Sequence, residues 1–268
     1  MGAMTIRLVA SDLDGTLFGP DHVPEARTVE AVNALADAGV IVAAVTGRSW
    51  FGGAERAAST GARLDWFIGS NGGHRLNVRT QELEERLTFE ESEVGDLIST
   101  LDTNLDNVGF GTEHAGGFWF SDRFLEQFPN SVDGGPRRVS VVDRTDHDIG
   151  KLFVSHAEIH TTELVDAVEP HVPDSMHVTT SGISFVEVTP HGADKGSALA
   201  RLCAKLGIDR SEVIAFGDNY NDLTMLEWAG RGVAMGNAED PVKAVADEVT
   251  ATNAEYGVAQ VLEALLDT

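Results

Sequence analysis

Five short apolar runs, each stopping abruptly at small or polar residues, constrain this chain most. Ile6-Arg7-Leu8-Val9-Ala10 runs into Ser11-Asp12, Val40 to Val45 into Thr46-Gly47-Arg48, and Trp66-Phe67-Ile68 into Gly69-Ser70-Asn71-Gly72. Val213-Ile214-Ala215-Phe216 runs into Gly217-Asp218, and Val233-Ala234-Met235 into Gly236. Near-continuous apolar strands belong to a sheet covered on both faces, and such a sheet is parallel. Helical patterns lie between them. Pro24 opens one at its first turn, Val29, Val32 and Leu35 share a face, and Gly39 closes it. Leu199, Leu202, Cys203 and Leu206 repeat the pattern ahead of Gly207. The alternation predicts an α/β doubly wound sheet. Ligands of such sheets bind beyond the carboxyl ends of the strands, so the polar residues at the run ends should converge on one site.

Between about Leu87 and Val186 the pattern changes. Helix-like stretches, Glu90 to Leu101 and Glu158 to Val168, alternate with strand-like Phe118-Trp119-Phe120, Val139-Ser140-Val141-Val142, Leu152-Phe153-Val154 and Met176-His177-Val178. Turns such as Asp133-Gly134-Gly135 separate them, and none of these strands ends in a chemically loaded loop. The expectation is an inserted α/β domain over 87–186, with 4–86 and 187–268 forming the main domain.

Composition narrows the partners. The 268 residues carry 43 Asp plus Glu against 19 Lys plus Arg, a formal net charge of −24. That field repels nucleic acid and anionic membrane, so neither is expected as a partner. No apolar stretch approaches the roughly 18–20 residues that cross a bilayer, and no basic-then-apolar leader opens the chain. One cysteine, Cys203, excludes intramolecular disulfides and Cys-cluster zinc sites, and cytoplasm is the default compartment.

The chemistry starts at Asp12-Leu13-Asp14-Gly15-Thr16-Leu17. Asp12, held at a strand end, can attack phosphorus and form an aspartyl-phosphate. Asp14, past the turn that Gly15 permits, can hand a proton to a leaving group. Alone, the pair reads as an Asp-rich turn, but three further segments accompany it. These are Val45-Thr46-Gly47-Arg48, then Glu187-Val188-Thr189-Pro190-His191-Gly192-Ala193-Asp194-Lys195-Gly196, and finally Gly217-Asp218-Asn219-Tyr220-Asn221-Asp222. In that order they resemble the four motifs of the haloacid dehalogenase (HAD) superfamily of phosphohydrolases, and Ser70-Asn71-Gly72-Gly73 resembles a turn of its Cof-type branch.

The resemblance implies a HAD-like Rossmannoid core with a large α/β cap and a Mg²⁺-dependent phosphatase. It implies Asp12 as nucleophile and metal ligand, and Asp14 as acid/base whose carbonyl touches the metal. Thr46 and Gly47 would hold the phosphoryl group, Lys195 would neutralise charge, and Asp218 would complete the metal site. Asn221 and Asp222 would orient ligands and Lys195, while Arg48 would brace the cap or contact substrate. Asp14 stands where transport ATPases of the superfamily carry Thr, which favours hydrolysis of the intermediate. The implied partner is a small phosphorylated metabolite, a sugar phosphate or a phosphorylated cofactor. A phosphohexomutase of the same fold is the alternative, and a non-catalytic phosphate-binding or signalling module a third reading.

Other signals read as bland. His156 and His160, spaced i, i+4 on an expected cap helix, lack a third zinc ligand and read as a solvated face. Gly192 to Ser197 lacks the spacing of a nucleotide phosphate loop, and Gly109-Phe110-Gly111 lacks the third glycine of a dinucleotide fingerprint. Cys203 reads as core filler.

Overall fold

The computed structural model describes residues 6–90, 92–114, 117–128, 137–138, 148–181 and 184–267. The chain opens with β1 (Leu8–Ser11), α1 (Ala26–Asp37), β2 (Ile41–Val45), α2 (Trp50–Ala58), β3 (Trp66–Gly69), β4 (His74–Asn77) and β5 (Glu82–Arg86). There follow α3 (Glu93–Asn104), β6 (Val108–His114), β7 (Gly117–Phe120), α4 (Asp122–Gln127), β8 (Arg137–Arg138), β9 (Lys151–His156), α5 (Thr161–Val168), β10 (Met176–Thr179) and β11 (Phe185–Pro190). The last stretch holds α6 (Lys195–Leu206), β12 (Val213–Gly217), α7 (Leu223–Trp228), β13 (Arg231–Ala234), α8 (Asp240–Val245), β14 (Glu248–Val249) and α9 (Gly257–Leu266).

Two units result: one runs through Glu85 and resumes at Asp194, the other spans Arg86–Ala193. The first is built on an eight-stranded sheet ordered β14-β13-β12-β1-β2-β3-β4-β5. Every pairing from β14 to β3 is parallel, and β4 joins antiparallel. The fold is a doubly wound α/β sheet. Alternation along the strands explains its two buried faces. Val9, Val42, Ala44, Phe67, Ile214 and Phe216 pack with residues of α1 and α9. Leu8, Ala10, Ala43, Val45, Val213 and Ala215 pack on the other side with α6, α7 and α8. Leu199, Leu202 and Cys203 are the buried stripe of α6, which stops at Gly207 in the left-handed conformation. Helix α1 starts at Ala26, two residues after Pro24, with Val32 and Leu35 buried. Strand order reverses at β1, whose neighbours are β2 and β12, and that reversal opens a crevice at their carboxyl ends.

The second unit carries a six-stranded sheet ordered β10-β11-β9-β6-β7-β8. One face is a core of Val108, Phe110, Leu152, Val154, Val186 and Val188 against α3 and α5. On the other, Phe118 and Phe120 join Phe153, Phe124 and Phe185 in an aromatic cluster, while Trp119 turns to His114, as strand alternation requires. Lys151 and Glu187 form a buried ion pair at 2.7 Å in the same unit.

Three sequence expectations differ from this arrangement. Glu187–Pro190, expected in the main domain, complete strand β11, which pairs with β9 and β10 of the inserted sheet. An antiparallel strand between two partners keeps its last residues with them, so the chain leaves the unit after Ala193. His156 ends β9 and His160 precedes α5, so they do not share a helix face. The His156 Nδ1 instead accepts from the Glu158 and Ile159 backbone N–H groups, closing the turn. Both expected helices of the unit start three residues late, α3 at Glu93 rather than Glu90 and α5 at Thr161 rather than Glu158. The expected strand Val139 to Val142 and the turn at Asp133-Gly134-Gly135 lie outside the described residues.

Candidate active site

Asp12 directly follows β1, and its N–H donates to Phe216 O on β12 at 3.0 Å. The chain then turns tightly: Leu17 N–H returns to Asp12 O and Phe18 N–H to Leu13 O. Gly15 takes a φ of +83°, and a Cβ there would lie 2.3 Å from Asp218 Oδ2. Only glycine allows both the conformation and that approach. Thr46 sits at the end of the neighbouring β2 and Asp218 at the end of β12. All three strand ends therefore meet at the crevice where the strand order reverses.

Lys195 arrives from α6. Asp194 caps that helix by accepting from Ser197 N–H at 2.9 Å, which puts Lys195 in its first turn. The lysine is fully buried. Its Nζ donates to Asp12 Oδ1 at 2.7 Å and to Asp222 Oδ1 at 2.6 Å. The second oxygen of Asp222 accepts from the Asp218 and Asn219 backbone N–H groups at 2.9 and 3.0 Å. Thr16 Oγ1 donates to Asp218 Oδ1 at 2.6 Å. Asn221 Nδ2 donates to Asn71 Oδ1 at 3.0 Å, and Asn71 N–H donates to Thr46 O at 3.0 Å. Asn71 is held left-handed, and a Cβ on the following Gly72 would lie 2.4 Å from Asp194 O. The turn after β3 thus packs against the entry to α6.

Carboxylate atoms of Asp12, Asp218 and Asp222 lie within 4.8 Å of one another. Burial pushes the Asp12 carboxyl well above the ordinary range; Lys195 opposes this, and Asp222 and Asp218 reinforce it. Asp218 is pushed up to about 6, first by burial and then by Asp222. For Lys195, burial would lower the pKa, yet Asp12 and Asp222 outweigh it and hold the ammonium above its ordinary value. Three crowded carboxylates facing one ammonium are an under-neutralised, all-oxygen donor set, and a hard divalent cation fits it. Asp222 belongs to this set by distance, but both its oxygens are already committed to Lys195 and backbone amides. It orients Lys195 and the Asp218 loop, leaving Asp12 and Asp218 as the carboxylates with coordination to offer.

The Asp14 side chain stands apart from that cluster. Arg48 Nε and Nη2 donate to its two oxygens at 2.5 and 2.6 Å, and His22 Nδ1 lies 3.0 Å from Oδ1. Burial alone would raise the Asp14 carboxyl, but Arg48 and then His22 hold it below its ordinary value. Thr46 is buried at the end of β2, its Oγ1 accepting from Arg48 N–H at 3.2 Å. Gly47 lies between them.

Four site participants have no role in the sequence reading. Thr16 was visible only as a member of the first segment, and Asn71 only as part of an Asn-Gly turn. His22 and Asn237, whose Nδ2 donates to Gly15 O at 2.9 Å, carry no sequence signal at all. Each acts through a contact that periodicity does not encode. The Cys203 thiol, by contrast, is buried on α6, pushed up to about 12 by that burial, and takes no part.

The family profile described as haloacid dehalogenase-like hydrolase matches residues 9–262. The Bacillus subtilis putative phosphatase YxeH is 30% identical over 270 residues, spanning 97% of this chain and 98% of its own. The 5-amino-6-(5-phospho-D-ribitylamino)uracil phosphatase YcsE of Bacillus subtilis is 30% identical over 258 residues, spanning 96% and 94%. Among solved structures, a haloacid dehalogenase-like hydrolase from B. subtilis superposes with a TM-score of 0.82 at 26% identity, covering 96% of this chain and 99% of that one. With the motif residues gathered at one crevice of a doubly wound sheet, the chain belongs to the haloacid dehalogenase-like hydrolases and is one of their phosphatases.

Proposed function

We propose that the chain is a Mg²⁺-dependent phosphatase that hydrolyses a small phosphorylated metabolite through an aspartyl-phosphate on Asp12. One observation carries this reading: buried Lys195 bridges Asp12 to Asp222 while Asp218 stands beside them. An attacking carboxylate needs an adjacent cation to meet an anionic ester, and here both are preorganised. A divalent cation held by Asp12, Asp218 and the Asp14 carbonyl would supply charge neutralisation and polarise the phosphoryl oxygens.

The residues of the chain do the rest. An Asp12 oxygen forms the new P–O bond as the ester P–O bond breaks, and the departing oxygen takes a proton from Asp14, which enters this step in its acid form against the pull of Arg48 toward the carboxylate. Lys195 neutralises Asp12 and the phosphoryl charge, and Thr46 and Gly47 hold the equatorial oxygens. A water molecule then attacks phosphorus, loses a proton to Asp14, and releases inorganic phosphate and free Asp12. The substrate class is drawn from the relative that acts on a phosphorylated ribitylaminouracil: a small phosphomonoester of a polyol, sugar or cofactor precursor. The test is a phosphate-release screen with Mg²⁺ over 5-amino-6-(5-phospho-D-ribitylamino)uracil, sugar phosphates, nucleotides, FMN and pyridoxal phosphate. Release from one or a few of these is expected; none from any ester, with or without Mg²⁺, would overturn the reading.

A further inference from the structure

We infer that Arg48 and His22 are positioning residues for Asp14, forming a clasp that holds this carboxylate apart from the Asp12–Asp218–Asp222 cluster. The inference rests on the reading of Asp14 as the proton-transfer group.

Arg48 grips both Asp14 oxygens at 2.5 and 2.6 Å, a bidentate fork that sets the plane of the carboxylate as well as its position. His22 adds a third contact at 3.0 Å. His22 itself has a φ of +60°, a conformation costly for a residue with a side chain and kept only where its surroundings impose it. They do so here. His22 N–H donates to Gly19 O at 2.9 Å, Gly19 N–H donates to Val23 O at 2.8 Å, and Arg56 donates to His22 O at 2.7 Å. Arg48 precedes α2 by two residues and Arg56 lies in its last turn, so both ends of one helix hold Asp14, one directly and one through His22.

A single residue, Leu13, separates Asp14 from Asp12. Unheld, Asp14 would be a fourth carboxylate free to join that cluster. Held, it keeps proton transfer separate from nucleophilic attack, and the fork fixes the plane in which its oxygens face a leaving group. Loosening a positioned group by about 1 Å can cost about 10²-fold in rate. That loss falls on the steps Asp14 serves, so it should scale with how much help the leaving group needs.

The experiment compares phenyl phosphate with p-nitrophenyl phosphate, whose leaving group needs less protonation. Steady-state constants and the single-turnover burst of phenol release are measured for Arg48→Gln, Arg48→Lys, His22→Ala, Asp14→Asn and the Asp14→Asn/Arg48→Gln pair. Arg48→Gln should lower kcat on phenyl phosphate about 10²-fold with KM little changed, and lower the p-nitrophenol burst far less. Arg48→Lys should recover part of the loss, and His22→Ala should shift both substrates in the same sense by less. The double variant should be no slower than Asp14→Asn alone. Equal losses on both esters, an effect on KM instead of kcat, or full additivity in the double variant would overturn the clasp while leaving Asp14 its role. Full activity of Asp14→Asn on phenyl phosphate would remove that role, and the clasp with it.

Discussion

Lys195 Nζ lies 2.6 Å from Asp222 Oδ1, and neither side chain is exposed to solvent. Asp222 is thereby a buried anion whose charge is spent on positioning, and Lys195 reaches Asp12 already held from behind. Removing one member of a buried ion pair strands the other in a low-dielectric interior. Lys195→Met should therefore lower unfolding stability by roughly 3–5 kcal/mol at neutral pH, read from urea titrations, besides abolishing turnover. A variant as stable as the parent would show that Asp222 and Asp12 tolerate its loss.

Asp12→Asn keeps the shape of the nucleophile but removes its attacking charge. Turnover should fall by more than the roughly 10²–10⁴-fold attributed to general acid–base assistance. Rapid quench with labelled p-nitrophenyl phosphate should trap phosphate on Asp12 in Asp14→Asn and none in Asp12→Asn. Label on a serine or histidine would contradict the assignment of Asp12.

Metal removal is a separate test. EDTA should abolish phosphate release and Mg²⁺ restore it. Asp218→Ala should weaken Mg²⁺ binding measured by calorimetry, because one of the two carboxylates with coordination to offer is gone. Unchanged activity in EDTA would refute the metal requirement.

The raised pKa of Asp218, about 6, gives the metal-free protein a defined pH response. Between the ordinary carboxylate value and 6 the folded state holds a proton the unfolded state has lost. Stability falls with pH wherever the folded state binds more protons. Asp12, raised in the same direction, adds to the fall. Asp14 is lowered, so its stabilisation is already complete above the ordinary carboxylate value and does not oppose this trend. In EDTA, thermal unfolding should shift downward from about pH 4 to pH 6, and Asp218→Asn should flatten the slope. An unchanged slope in that variant would show that Asp218 does not carry it.

Cys203, packed on the sheet side of α6 with its thiol pushed up to about 12, should react with a thiol probe only after unfolding. Labelling in native buffer at the rate seen in urea would show that α6 opens locally.

What the sequence by itself determined is local. Alternation in Leu8, Val9 and Ala10 assigns successive residues to opposite faces, and the polar stops place Asp12, Thr46 and Asp218 at strand ends. Those features depend only on neighbouring residues, because burial of a strand or helix face repeats with its own period. The stripe Leu199, Leu202, Cys203 was legible on α6 for the same reason. Tertiary structure decided everything that joins distant segments. Strand β11 goes to the inserted sheet because β9 and β10 satisfy its backbone on both sides, a pairing its apolar pattern does not specify. His156 falls at the end of a strand because β6 extends the ladder of β9 that far, Val108 standing opposite His156. Asp14 meets Arg48 across 34 residues, and Lys195 meets Asp12 across 183. A residue's type shows that it can form such an ion pair; only the packing of α6 and the β2–α2 loop around β1 selects its partner.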